Sequence, residues 1–447
     1  MSKKTNTCRV GLAVYDFDWV YGTGTERFAH ELTYALVNLK QSIIEYKILL
    51  RPGISAAQIG LPPEICLNAP TPSYSLLAKI RRKSHYLWHK GIDVTRELMG
   101  ACPLLGYLGK LWIKDWLTSL NLDLLYFPSM WQYELIQDIP IVVQLHDMQH
   151  IHYPEFWKDD IFQRQVVFGW YRDHACLITC NFDFVANDIK LYLKVPKEKI
   201  ATIFLAPSRP PLSDAAYELS IRKKFNLPQR YIIYPAATWP HKNHINLVRA
   251  IAQCVSSGID VFCVCTGEHA DWLYPGQFLK IQEEIKKCKV EKNICFTGCL
   301  ASSEIYALLQ GADFVVIPTI YEAGCYPIWE ACHFGKAVAC SDVTMIPYQI
   351  QDAGLLFNPH EPDDIAGAIG LLWKNQELKS YLGHKAKALI DHPFYSAEKM
   401  ALGYHRQFIH CLIRLGKLPK ELWINEDPAP VLDRGALPLR FEWRQKG

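Results

Sequence analysis

Two glutamates, Glu322 and Glu330, stand eight positions apart in "PTIYEAGCYPIWEACHFG" (318–335), with a glycine, a cysteine, a tyrosine and a proline among the residues between them. The preceding "DFVVIPT" is apolar enough for a buried strand, so the loop from Tyr321 belongs at that strand's carboxyl end. Pro327 suits the first turn of a helix and Gly335 its end. This places Glu322 in the loop and Glu330 about one turn inside the helix. The N–H groups of Gly324, Cys325 and Tyr326 precede that helix and can point outward. A carboxylate accepts two hydrogen bonds side by side, which suits a vicinal diol such as a sugar or ribose presents. The bland alternative is a loop charge and a solvated helix charge.

Three other segments carry comparable chemistry at strand ends. "YGTGTER" (21–27) follows a first strand and opens a helix. Gly22 and Gly24 there let the backbone approach a ligand, and free helix N–H groups can meet a phosphate. The segment is not a full G-x-G-x-x-G, and an ordinary turn is the alternative. "QLHD" (144–147) ends an apolar strand with His146, which can donate to a sugar hydroxyl, and Asp147, which can cap. His150 and His152 follow, but no carboxylate spacing supports a metal site. "YPAATWPHKNH" (234–244) ends a strand, turns, and starts a helix near residue 244. Lys242 can meet phosphate oxygens beside that helix's dipole, and Asn243 is a good cap residue.

The chain has 447 residues, half of them apolar, 21% charged, with a formal charge of +3. That size implies two or three domains, and the near-neutral balance gives no case for nucleic acid as a partner. Fifteen cysteines are dispersed with no CxxC pair, which reads as reduced thiols and a cytoplasmic setting. The N-terminal apolar run is short and followed by acids, so no signal peptide is read, and no apolar stretch is long enough to span a membrane.

Short apolar runs alternate with helical periodicity throughout. "CRVGLAV", "LDLLYFP", "IPIVVQLHD" and "KIATIFLAP" read as strands of one half, with a helix over 25–39 carrying Phe28, Leu32, Leu36 and Leu39 on one face. "APSRPPLSD" (206–214) reads as a linker. Then "YIIYPAA", "VFCVCTG", "NICFTG", "DFVVIPT", "KAVACS" and "GLLFNP" read as strands of a second half. This alternation predicts an α/β fold of two Rossmann-like, doubly wound domains. The divisions expected are an N-terminal domain over 1–207, a C-terminal domain over 208–395, and a helix with a proline-rich tail over 396–447, for which a return to the N-terminal domain is open. Residues 77–120 break the pattern, mixing basic residues with Trp88, Trp112 and Trp116. Such a surface suits peripheral contact with an anionic membrane; a packed helical insertion with a solvated basic edge is the alternative.

"EAGCYPIWE" resembles the E-x7-E signature of retaining glycosyltransferases with the GT-B fold. Its surroundings, through "AGLLFNPHEPDDIAGAI", resemble glycosyltransferase family 4, most strongly over about 230–370. "YPAATWPHKNHINLVRAI" resembles the segment that opens that family's donor domain, and "VVQLHDMQHIHYPEFW" its N-domain histidine strand. The resemblance implies two Rossmann-like domains facing across a cleft. It implies a nucleotide-sugar donor held mainly by the C-terminal domain and a glycan or lipid-linked acceptor held mainly by the N-terminal one. Carried onto this sequence, Glu322 would hold donor-sugar hydroxyls with the Gly324, Cys325 and Tyr326 amides, and Glu330 the ribose. Lys242 would face the diphosphate, with Gly22 and Gly24 approaching it. His146 would lie by the donor sugar, and Thr266, Gly267, Thr297 and Gly298 would border the nucleotide. No metal and no cofactor is called for, the nucleotide sugar being a co-substrate. "DFD" (16–18) mimics a metal-binding D-x-D of another glycosyltransferase fold but lies in the first loop. An arginine that the resemblance leads one to expect before the lysine is Ala237 here, with His241 or Arg209 as substitutes to consider.

The implied reaction moves a hexose from a nucleotide diphosphate sugar to a hydroxyl with retention, by same-face substitution. GDP-mannose is favoured over a UDP-sugar because "WPHKNH" resembles bacterial mannosyltransferase-like members. Polysaccharide biosynthesis is the implied setting, and the expected location is the cytoplasm, or the inner face of the membrane if residues 77–120 make peripheral contact. Two other readings stay open: a GT-B nucleotide-sugar 2-epimerase or hydrolase, and a non-catalytic nucleotide-sugar-binding subunit.

Overall fold

The computed structural model describes residues 7–14, 24–50, 53–69, 114–128, 138–157, 161–207, 209–269, 271, 274–423 and 439–440. Gly22, "DFD" and nearly all of the 77–120 segment lie outside these residues. The chain forms two compact units: Met1–Leu205 with Ala397–Glu426, and Ala206–Ser396 with Asp427–Gly447.

Each unit is built on a seven-stranded, all-parallel sheet. The first contains β1 (Cys8–Ala13), β2 (Ile44–Leu50), β3 (Cys66–Asn68), β4 (Leu124–Phe127), β5 (Ile141–Gln144), β6 (Leu177–Cys180) and β7 (Ile200–Thr202), in the order β3-β2-β1-β4-β5-β6-β7. The second contains β8 (Ile232–Pro235), β9 (Cys263–Thr266), β10 (Ile294–Phe296), β11 (Val315–Ile317), β12 (Val338–Ser341), β13 (Gly354–Phe357) and β14 (Leu439–Arg440), in the order β10-β9-β8-β11-β12-β13-β14. β4, β5, β6, β9, β11, β12 and β13 are buried at every position. Burial on both faces is why these strands read as unbroken apolar runs rather than alternating ones.

In each sheet the chain starts in the middle, adds strands to one side, then reverses to the other. The reversal lies between β1 and β4 in the first sheet and between β8 and β11 in the second. In open α/β sheets a crevice forms at the carboxyl ends of the two strands flanking such a switch point.

The first helix runs Gly24–Val37 and buries Phe28, Leu32 and Leu36, while Leu39 falls past its end and is only half-buried. The expected tail over 396–447 is divided instead of forming one block. The helix Ala397–Arg414 belongs to the first unit, where Tyr404 donates to Gln144 Oε1 at 2.8 Å and Tyr46 meets His405 at 2.6 Å. β14 belongs to the second unit, pairing Leu439 with Leu355. Residues 376–414 form two helices, Gln376–Asp391 and Ala397–Arg414, one in each unit. Among the described residues, no helix is long and apolar enough to cross a membrane.

Candidate functional site

In the second unit the sequence-predicted residues gather at the carboxyl ends of four adjacent strands. Lys242 follows β8, Thr266 ends β9 with Gly267 after it, Thr297 and Gly298 follow β10, and Glu322 to Tyr326 follow β11. Lys242 and Glu322 thus stand on the two sides of the switch point. Lys242 Nζ donates to Glu322 Oε1 at 2.5 Å, with side-chain exposures of 19% and 9%. Burial alone would lower the Lys242 ammonium's pKa, but the charge and hydrogen bond of Glu322 outweigh it and hold it above its ordinary value.

Both loops are fixed through their backbones. Lys242 ends a short turn, Pro240–Lys242, and its carbonyl accepts from the buried Tyr234 hydroxyl at 2.9 Å. The His241 carbonyl accepts from Ile320 N–H at 2.9 Å and from Thr319 Oγ1 at 3.0 Å, tying the β8 loop to the β11 loop. Asn243 takes the cap position in left-handed backbone, φ 60°, but its side chain does not cap the helix His244–Ser256. Its amide group instead donates to the carbonyls of Pro318 and Pro359, both at 2.8 Å. Cap chemistry yields here to a tertiary bridge that links three loops.

The β11 loop carries one further correction. The Cys325 N–H, expected among the amides that face a ligand, donates to Gln349 Oε1 at 3.1 Å. The Gly324 N–H has no partner among the described residues, and Gly324 adopts φ 152°, which favours glycine. The helix begins at Tyr326 with Pro327 in its first turn and ends before Gly335, as the spacing predicts. Glu330 is only 4% exposed, so it is not a solvated helix charge.

At the β9 end, Gly267 has φ 116°, and a Cβ there would come within 2.7 Å of the Ala236 and Ala237 backbone. Glycine is required by that approach. Its N–H donates to the Gly298 carbonyl at 3.0 Å, joining the β9 and β10 loops. Thr266 is buried, and Thr297 and Gly298 are half-buried. Sequence reasoning gave no role to His244. His244 is 1% exposed with neither ring nitrogen partnered, and it faces Tyr234 and Phe296 at centroid distances of 4.9 and 5.8 Å. Burial, then the Lys242 charge, lowers its pKa to about 3.

Neither substitute for the expected arginine supplies a cation here. His241 is buried and its pKa is pushed well below the usual range by burial and by Lys242, so its ring is neutral. Arg209 is committed to the Ile390 and Tyr395 carbonyls at 2.5 and 3.3 Å and to Asp391 at 3.3 Å.

In the first unit, Gly24 opens the helix Gly24–Val37 and is exposed. His146 follows β5 near that sheet's switch point. Its Nε2 lies 2.8 Å from the Pro128 carbonyl, and its ring meets Phe28 edge-on at 5.1 Å. A carbonyl oxygen only accepts, so Nε2 carries the proton and the neutral ring offers Nδ1 as an acceptor. The expectation that His146 donates to a hydroxyl is therefore reversed for the neutral ring. Burial lowers its pKa against the opposing pull of Pro128 and Asp147, favouring that neutral form.

Asp147 accepts from Gln149 N–H and from Arg164, both at 3.0 Å. His150 packs on Phe168, and His152 pairs with Asp188 at 2.7 Å. The three histidines of this segment thus take separate partners, and the described residues contain no cluster with metal-ligand geometry. A hollow of about 620 Å³, lined by Leu212, His333, Ser380 and Lys387 among others, is formed by none of the residues of the switch-point site.

Residues 218–389 match the family model described as "Glycosyl transferases group 1", a segment that contains Lys242, Glu322 and Glu330. The chain is 26% identical over 231 residues to O-antigen chain mannosyltransferase B of Escherichia coli, covering 51% of this chain and 60% of that protein. It is 26% identical over 245 residues to the D-inositol 3-phosphate glycosyltransferase of Corynebacterium glutamicum, covering 52% of this chain and 56% of that protein. The chain thus spans less than two thirds of the length of these relatives. Among solved structures it resembles the Thermosynechococcus elongatus sucrose-phosphate synthase, at a TM-score of 0.68, 15% identity, 91% coverage of this chain and 100% of that one. It also resembles Anabaena HepE in complex with UDP and glucose, at a TM-score of 0.65, 15% identity, 90% coverage of this chain and 100% of that one. The two parallel-sheet α/β units are those of the GT-B glycosyltransferase fold.

Proposed function

We propose that the chain is a retaining glycosyltransferase of family 4 type, moving a hexosyl group from a nucleoside diphosphate sugar to a hydroxyl of a glycan or lipid-linked acceptor. The observation that carries this reading is the Lys242–Glu322 pair across the switch point of the second sheet, with Glu330 buried one turn deeper. A diphosphate leaving group gathers negative charge, and the Lys242 ammonium and the start of the Tyr326–His333 helix can meet it without a resident metal, while the Gly324 amide is left for the donor sugar. When phosphate takes the ammonium, Glu322 is released to accept from donor-sugar hydroxyls, and Glu330 is assigned to the ribose. In the first unit, His146 Nδ1 can accept from a sugar hydroxyl. GDP-mannose is the preferred donor, a choice supported by the mannosyltransferase named among the relatives. UDP-glucose is the second choice, since HepE is described in complex with it.

The test is a panel of nucleotide sugars with the purified chain, scored by thermal shift and by donor consumption with and without added acceptors. Stabilisation by one donor and acceptor-dependent turnover are expected. Donor consumption that is complete without acceptor would move the assignment to an epimerase or hydrolase. No stabilisation and no consumption by any donor would overturn it.

A further inference from the structure

The loop that carries Glu322 is held by two side chains that the sequence reading did not single out. Thr344 grips the peptide of Glu322 from both ends. Its hydroxyl donates to the Glu322 carbonyl at 2.6 Å, and the Glu322 N–H donates to the same Oγ1 at 3.2 Å. Gln349 does the same three residues on. Its Nε2 donates to the Cys325 carbonyl at 2.7 Å, and its Oε1 accepts the Cys325 N–H at 3.1 Å. Both clamps come from the segment after β12, and Gln349 is only 2% exposed.

A second observation points the same way. Thr344 adopts φ 48°, an outlier for a β-branched side chain, at a position where glycine would be at ease. Glycine would relieve the backbone but lose the hydroxyl. Strain of this kind persists where the surroundings require a particular group in a particular place. Between the two clamps lie Ala323 and Gly324, whose N–H groups neither clamp engages.

We infer that Thr344 and Gln349 are positioning residues for the donor sugar: they fix the Glu322 carboxylate and the Gly324 amide in the arrangement that the transferred group meets. Their hydrogen bonds run to the backbone of Glu322 and Cys325, so turnover should depend on them more than nucleotide affinity does. This rests on the glycosyl-transfer reading above. A shift of the loop by about 1 Å is enough to lower turnover about hundredfold without changing which groups are present.

The experiment compares Thr344→Val, Thr344→Ser and Gln349→Glu in the full chain. Thr344→Val keeps the shape and removes the hydroxyl. Thr344→Ser keeps the hydroxyl. Gln349→Glu keeps the acceptor for the Cys325 N–H but sets oxygen against the Cys325 carbonyl. Donor kcat, nucleoside diphosphate affinity by calorimetry, and deuterium uptake over residues 320–327 are measured together. Expected is a kcat about hundredfold lower in Thr344→Val and Gln349→Glu, with nucleoside diphosphate Kd within about threefold of the parent and faster exchange of the loop amides. Thr344→Ser should retain most of the parent's kcat. Parent-like kcat in Thr344→Val overturns the inference, as does an equal loss of nucleotide affinity, which would mean general damage. A parent chain that binds and consumes no nucleotide sugar defeats the functional reading instead. Loop exchange then decides on the clamps alone, and unchanged uptake in both variants overturns them.

Discussion

Replacing Lys242 by methionine separates the two tasks assigned to it. In the free chain its ammonium neutralises Glu322 across 2.5 Å, with the two side chains 19% and 9% exposed. Exposed ion pairs contribute about 0–1 kcal/mol, whereas stranding one partner of a buried pair costs about 3–5 kcal/mol. This pair lies nearer the buried limit, so Lys242→Met should cost about 3 kcal/mol in the second unit's unfolding. Most of that is the stranded Glu322 carboxylate, so adding Glu322→Gln should restore stability to within about 1 kcal/mol of the parent. Affinity should behave differently. A charge-assisted hydrogen bond to phosphate is worth about 1.5–3 kcal/mol, so the nucleoside diphosphate Kd should rise about ten- to hundredfold in Lys242→Met. It should stay raised in the double variant, because neutralising Glu322 does not replace the cation. Denaturant melts and titration calorimetry on both variants test this. Unchanged affinity in Lys242→Met refutes the phosphate role. A double variant no more stable than the single one refutes the stranded-charge argument.

Gly267→Ala should destabilise the second unit by about 2–4 kcal/mol, since its Cβ meets the Ala236 backbone in a left-handed conformation; a melt within 1 °C of the parent would contradict this. His244 is held neutral, with burial lowering its pKa to about 3. Between about pH 6.5 and that value the unfolded chain binds the proton and the folded chain does not, so stability falls by about 1.4 kcal/mol per pH unit as pH drops. His244→Phe should make the acid-side slope shallower by that amount; an equal acid-side slope in parent and variant would show that other groups carry it. His146→Leu should lower donor turnover about hundredfold or more with little change in nucleoside diphosphate affinity, and parent-like turnover would remove it from the chemistry.

Strands covered on both faces were legible because burial writes itself as a continuous apolar run. "DFVVIPT" and "KAVACS" contain β11 and β12. Position relative to a strand end was enough to bring Lys242, Glu322, Thr266 and Thr297 to one edge. What the residues do with their hydrogen bonds was not legible. Asn243 has the chemistry of a cap and is used as a bridge, and the Cys325 amide is consumed by Gln349, because a partner 24 positions away leaves no local pattern. The division of the tail escaped for a similar reason. β14 is two residues long, too short for any periodicity, and is defined by its register on β13 alone.

That last strand has a consequence for how the molecule can be handled and made. The backbone passes between the units after Leu205, after Ser396 and again after Glu426. During synthesis β13 is therefore left with a bare, hydrogen-bonding flank until residue 440 has emerged, long after the rest of its sheet is available. An expression boundary drawn at 206–396 would make that flank permanent, and such open flanks recruit other chains. The second unit is thus best produced with the tail supplied, either covalently or as a peptide spanning Leu439 and Arg440.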